Sequence, residues 1–203
     1  MLRVQHHRGP DSSGILEPDE HTILGHNRLS IIDLSAQASQ PFVSNDSRWL
    51  LVFNGEIYNY RELRTELESN YPFRTNSDTE VLLASWIHWG VHCLDKLRGM
   101  FAFAIYDQQE KLLSLVRDRF GVKPLYYAMN NEGELLFASE IKTLFAGGLK
   151  KAPNASMWAS YFTKGSFQFE DKTFWEGVHA LPAGHLAEIS LQGSNPIQAQ
   201  PKQ

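Results

Sequence analysis

Four apolar runs follow one another between residues 100 and 140: "MFAFAIYD", "KLLSLVRD", "KPLYYAMN" and "GELLFASE". Each is short, apolar or alternating, and bounded by turn residues, the pattern of a β-strand. The gaps between them are too short for the long crossovers that parallel neighbours need. The spacing therefore predicts an antiparallel meander, and any fold for this chain must be built around it.

The rest of the chain is read against that meander. The first 22 residues are polar and turn-rich, and "RGPDSSG" is a strong loop signal. "HTILGHNRLSIIDL" and "WLLVFNGEIYN" read as strands leading into loops. "NYRELRTELES" places Leu63 and Leu67 at i and i+4, which predicts a short amphipathic helix. Ser77, with Glu80 three residues later, is a capping-box pattern for a helix running to about Gly90. Shorter helices are expected at "HCLDKLRG", "EIKTLFAG" and "ASMWASYFTKG", and a last pair of strands in "TFWEGVHALPAGHLAEISL". The order gives an α+β class, with helices packed on antiparallel sheet. Residues 1–190 are expected to form one domain, and 191–203 a linker or tail.

Several function classes are disfavoured by composition. The 203 residues are 42% hydrophobic with a net charge of −4, which suits one globular domain and gives no electrostatic case for nucleic acid. No apolar run approaches the length needed to span a bilayer, and "MLRVQHHRGP" has no signal-peptide pattern, so a cytoplasmic location without membrane contact is expected. The single Cys93 has no disulfide partner, and no Cys/His spacing resembles a zinc site, so no metal is expected. The pair His6-His7 reads as part of a solvated tail.

Asn54-Gly55 is the candidate site with most content. It is also a common hairpin-turn dipeptide. A hairpin fits poorly here, because "EIYNYREL" leads to a helix and not to a returning strand. The other reading is functional: an Asn amide and a Gly N–H, side by side at a strand end, can both point at one oxygen, as an oxyanion hole requires. Taken alone, the dipeptide favours the plain reading. Arg28 reads first as a surface residue at a strand edge, and Asp78 as a carboxylate favoured by a helix start. Together they could bracket an amino acid, guanidinium on carboxylate and carboxylate on ammonium. "VRDRFGVKPLYY" reads as a salt-bridged loop.

Eight segments in one order, "HRGPDSSG", "GHNRLSIIDL", "QPF", "FNGEIYNYRELRTEL", "TNSDTEVLL", "LRGMFAFAIYD", "RDRFGVKPLYY" and "FASEIKTL", resemble the class II glutamine amidotransferase domain of glutamine-hydrolysing asparagine synthases. The resemblance covers roughly residues 7 to 190. It implies an N-terminal-nucleophile fold, a four-layer αββα sandwich of two antiparallel sheets. It implies that Arg28, with backbone groups of Ile31 and Ile32, holds the α-carboxylate of L-glutamine. Asp78 and the backbone at Glu56 would hold the α-amino group, and Asn54 and Gly55 would form the oxyanion hole.

In the family, an N-terminal Cys whose own amine acts as base attacks the glutamine amide and releases ammonia. A second, synthetase domain then amidates aspartate, activated with ATP and Mg. The resemblance implies no cofactor for the glutaminase domain itself, the synthetase domain as its partner, and a homodimer as one open assembly. Two departures stand out. The chain starts "MLRVQHHRGPD" where the family has Cys-Gly-Ile and an edge strand, and no Ser-Gly-Gly-x-Asp-Ser motif occurs. The expectation is a glutaminase domain without its nucleophile or partner domain, inactive alone, with Cys93 a buried structural thiol. The alternative is a non-catalytic glutamine-binding or interaction module derived from that domain.

Overall fold

The computed structural model describes residues 1–165, 171–192 and 200–202. After a 3-10 turn at Leu2–Arg8 come strands β1 (Ser12–Asp19), β2 (Thr22–Arg28), β3 (Phe42–Val43) and β4 (Trp49–Ile57). Helices α1 (Tyr60–Leu67), α2 (Asp78–Trp89) and α3 (Cys93–Lys96) follow. Next are β5 (Gly99–Asp107), β6 (Leu112–Arg117), β7 (Tyr126–Met129), β8 (Leu135–Ala138), α4 (Ile141–Ala146) and α5 (Ala155–Lys164). Strands β9 (Val178–Ala180), β10 (Leu186–Ser190) and β11 (Gln200–Lys202) complete the series.

Side-chain alternation along the strands sorts these elements into layers. The central six-stranded antiparallel sheet runs β11-β10-β6-β5-β4-β3. One of its faces carries Leu51, Phe53, Phe101, Phe103 and Ile105, packed on Leu63 of α1 and Val81, Leu82 and Trp86 of α2. The opposite face carries Leu50, Val52, Ala102, Ala104 and Leu115, packed on Leu24 of β2 and Leu125 and Tyr127 beside and in β7. The second strand layer consists of the hairpin β1-β2 and the three-stranded sheet β8-β7-β9. Its far side packs Ala128, Ala138 and Val178 on Leu144 of α4. The layers read helix, sheet, sheet, helix: the αββα sandwich expected from the resemblance.

Helix α2 starts where the capping box placed it. Ser77 Oγ accepts the Glu80 N–H at 3.2 Å, and the helix stops at Gly90, with a φ of +57° that favours glycine. The reciprocal half of the box is replaced. The buried Glu80 carboxylate accepts from the Arg74 and Thr75 N–H groups and from Thr75 Oγ, so it fastens the loop that leads into the helix.

Four expectations need correction. The meander is two hairpins, not one: β5 and β6 pair in the six-stranded sheet, whereas β7 and β8 pair in the other layer. Residues 12–19 form β1, paired with β2, and are not loop. The last two expected strands are present, and β9 joins β7 whereas β10 joins β6. In the expected tail, Gln200–Lys202 add to the sheet as β11, beside β10. His7, read as solvated tail, lies in the first 3-10 turn with its Nε2 3.1 Å from Glu140.

Candidate active site at the edge of strand β4

Strand β4 has two edges, and they are used differently. Along the β5 edge Tyr58 N–H donates to Arg98 and Gln108 N–H to Arg48 O, so the even-numbered residues of β4 face β5. The odd-numbered residues face the other edge. There Ser44 N–H donates to Trp49 O, and Leu51 opposes Phe42. At this point β3 ends, and side chains take over. Phe53 N–H donates to Gln40 Oε1 at 2.6 Å, and Ile57 N–H donates to Asp78 Oδ2 at 3.0 Å. Gly55 lies between them and directs its N–H to the same edge, where no strand among the described residues pairs with it.

Asn54-Gly55 is therefore neither a turn nor a strand end; β4 continues through it to Ile57. The glycine is needed sterically, because a Cβ there would sit 2.2 Å from Met100 O and 2.7 Å from Phe101 Cα. Asn54 commits its backbone to β5. Its side-chain Nδ2 donates to Ser139 Oγ at 3.2 Å, which leaves the second amide hydrogen uncommitted by that bond. Asn54, His26, Phe103, Phe137 and Ser139 line a cavity of about 100 Å³ between the two strand layers.

Arg28 closes β2 and is 9% exposed. Its Nη1 donates to Ser35 O at 2.9 Å and its Nη2 to Asp33 O. The guanidinium thus holds the loop that carries Ile31 and Ile32, and three of its five donors remain beyond those bonds. Asp33 in turn accepts the Asn76 N–H at 2.9 Å, which ties this loop to the approach of α2. Ile31 is exposed and Ile32 half-buried.

Asp78 is buried at the first position of α2. Desolvation pushes its carboxyl up to about 6, against the hydrogen bond from Ile57, and the nearby Glu56 charge adds to the rise. The backbone of Glu56 opposes Met100 and belongs to the β5 ladder. What Glu56 brings to Asp78 in this structure is the charge of its carboxylate. Two carboxylates share this end of the edge, one of them strained toward neutrality by burial. A cation placed between them would relieve both effects.

Elsewhere the chemistry-bearing residues are structural. Cys93 is fully buried at the start of α3, and burial pushes its thiol up to about 12, far from a nucleophile. The "VRDRFGVKPLYY" loop is bonded to backbone and not salt-bridged. Asp118 accepts from Phe101, Phe120, Val122 and Lys123 N–H groups, and Arg117 donates to the carbonyls of Lys123, Leu181 and Gly121. Sequence reasoning assigned no role to Gln40, His26 or Ser139, although "QPF" was among the segments noted. The available signal was register: the pairing of Phe42 with Leu51 puts Gln40 opposite Phe53. Among the described residues no cluster of three His, Cys, Asp or Glu could hold a metal ion, and no helix is long and apolar enough to cross a membrane.

Comparison with known proteins gives the family of the chain. A family model described as a glutamine amidotransferase domain matches residues 1–199. The chain is 52% identical over 139 residues to asparagine synthetase (glutamine-hydrolyzing) 1 of Bacillus subtilis, covering 68% of this chain and 22% of that protein. It is 41% identical over 179 residues to asparagine synthetase B of Escherichia coli, covering 84% and 32%. It is 42% identical over 181 residues to amidase chyE of Penicillium rubens, covering 88% and 26%. The chain thus spans a third or less of the length of these relatives. A B. subtilis glutamine phosphoribosylpyrophosphate amidotransferase shares the fold, with a TM-score of 0.70 at 20% identity over 98% of this chain and 45% of that one.

Proposed function

This chain belongs to the glutamine amidotransferase domain family, and from that premise we propose that the open edge of β4 is the glutamine pocket of a glutaminase that supplies ammonia for asparagine synthesis. The observation that carries the reading is the rung at Gly55, unpaired among the described residues and set between Asn54 and the Asp78–Glu56 carboxylates. Asp78 and Glu56 would take the α-ammonium. Arg28, with backbone groups of Ile31 and Ile32, would take the α-carboxylate. The side-chain carbonyl would then lie toward Gly55 N–H and Asn54 Nδ2, whose dipoles favour the oxyanion that forms when a thiolate attacks. Collapse of that tetrahedral species expels ammonia and leaves a thioester, which water converts to glutamate.

Residues 1–190 are proposed as the glutaminase unit, in the cytoplasm, with the amidation of aspartate by ATP and Mg assigned to a synthetase domain. A second reading has one observation in its favour. The only thiol in these residues, Cys93, is buried in α3 and not at Gly55. The 203-residue chain by itself then binds glutamine without hydrolysing it.

Calorimetric titration with L-glutamine and its des-amino and des-carboxy analogues tests the pocket without requiring turnover. Arg28→Ala should weaken L-glutamine by roughly 10- to 100-fold, the range of a charge-assisted hydrogen bond. It should barely alter binding of the des-carboxy analogue. Equal losses on both ligands would show that Arg28 serves only the fold of its loop.

A further inference from the structure

The Gly55 rung is open because something stops the ladder on one side of it. Strand β3 ends at Phe42, and Gln40 is the next residue in register with Phe53. Its main chain does not make the pair. Gln40 O is turned toward β1, where a Cβ on Gly14 would lie 2.1 Å from it. Its side chain makes the pair instead. Gln40 Oε1 accepts from Phe53 N–H at 2.6 Å, and Gln40 Nε2 donates to Phe53 O at 3.2 Å. A carboxamide offers one acceptor and one donor with the spacing of a peptide unit, so this side chain replaces one strand residue. The second hydrogen of Nε2 reaches Thr79 Oγ at 3.5 Å, next to Asp78 at the start of α2. His26 adds a donor: its Nε2 lies 2.9 Å from Phe53 O. A carbonyl only accepts, so Nε2 carries the proton and Nδ1 is the acceptor.

We propose that Gln40, assisted by His26, is a positioning residue that terminates the β4 ladder at Phe53 and holds the Gly55 N–H outward as an oxyanion donor. The proposal rests on the glutamine-pocket reading. It assigns a different task to residues that the pocket itself does not use. A real strand residue at Gln40 would continue to the next rung and cover Gly55; a side chain cannot. The backbone of Phe53 is fixed by three hydrogen bonds from Gln40 and His26, one at its N–H and two at its carbonyl, which also fixes the strand that carries the Asn54 side chain. A donor fixed before charge develops needs no reorganisation when it does.

The test is Gln40→Met, which keeps length and removes both bonds, followed by amide NMR and glutamine titration on the 203-residue chain. The expected result is a displaced Gly55 amide resonance and amide exchange at Phe53 faster by roughly 10- to 100-fold. Exchange at Leu82 and Leu83 should stay as in the wild type, and glutamine should bind about tenfold more weakly. If Gln40→Met does not fold, Gln40→Glu serves. Its ionised carboxylate keeps the Phe53 N–H and loses the bond to Phe53 O, and the protonated form regains a donor at low pH. The Gly55 resonance should then return toward its wild-type position as the pH falls. A wild-type Gly55 resonance with slow Phe53 exchange in Gln40→Met, or a wild-type Gly55 resonance in Gln40→Glu while its carboxylate is ionised, overturns the proposal. A displaced Gly55 with unchanged glutamine affinity supports the clamp and overturns the pocket reading on which its purpose rests.

Discussion

Two buried aspartates hold neighbouring stretches of this sheet, and they are treated in opposite ways. Asp118, 1% exposed, accepts four backbone N–H groups from Phe101 and the turn that follows it. Its carboxylate is saturated, and the loop closes around it. Asp78, 6% exposed, is raised to about 6 by burial, and the Glu56 charge adds to the rise, which backbone hydrogen bonds from Ile57 and, with smaller effect, Thr79 and its own N–H do not offset. The difference separates a carboxylate that the fold saturates from the one that the proposed pocket would use. The first has its donors supplied by the chain; the second has burial without enough of them. Burial alone, or the presence of a backbone bond, would not separate the two.

The contrast can be broken from its structural side first. Asp118→Ala leaves several buried N–H groups without an acceptor and should cost roughly 3–5 kcal/mol of stability in a denaturant melt. A cost near zero would mean that water replaces the carboxylate, and the distinction would fail. Gly55→Ala is next. Its Cβ meets the Met100 carbonyl, backbone that cannot rotate away, and should destabilise by roughly 1–3 kcal/mol. It should also abolish whatever the Gly55 N–H binds. Cys93→Ala should be the mildest of the three, a small buried cavity costing about 1 kcal/mol, with glutamine affinity unchanged. A loss of affinity there would give Cys93 a place in the pocket that its burial in α3 does not suggest.

Asp78 sharpens the comparison through pH. Its folded carboxyl titrates near 6, above its ordinary value of 3.8. Between those values the folded chain binds more protons than the unfolded one, so this group lowers stability as pH rises through that window. Below 3.8 it is protonated in both states and contributes nothing. Asp78→Asn keeps an acceptor for Ile57 and removes the charge. At pH 7 it should raise stability, by at most about 2–3 kcal/mol, with the gain gone by pH 3.5. A site more stable without its charge is the mark of a residue retained for binding.

Some of this was legible in the sequence because it is local. The capping box at Ser77, the amphipathic pair Leu63 and Leu67, and the strand-to-helix switch after Asn54 depend on neighbours a few residues away. The division of the expected meander was not legible. It depends on the Asp118 turn, which carries the chain from one layer to the other, and nothing in the apolar runs encodes which layer each joins. Strand β1 was hidden because "SSGILEPD" is mostly polar and is held by pairing with β2. In the proposed site, Arg28, Asn54, Gly55 and Asp78 were named from the sequence as residue types, through the resemblance. Gln40 and the open rung were not, because a side chain acting as a strand residue exists only once register is fixed. The pairing of the Glu56 backbone with β5 was hidden for the same reason: which edge a peptide faces is a property of the paired sheet.

The measurement that bears most directly on the site is the pH dependence of L-glutamine binding to the wild type and to Asp78→Asn. Calorimetric titrations between pH 5 and 7.5 give the dissociation constant of each. If Asp78 takes the ammonium, its ionised form binds and its protonated form does not. Wild-type affinity should then rise roughly tenfold across that range, as the carboxyl near 6 gives up its proton. Asp78→Asn should bind more weakly by 10- to 100-fold at pH 7.5, with no such rise. Equal affinities with parallel pH profiles in the two proteins would contradict the account: Asp78 would then be a second Asp118, an anchor for β4, and the open rung would belong to no glutamine site.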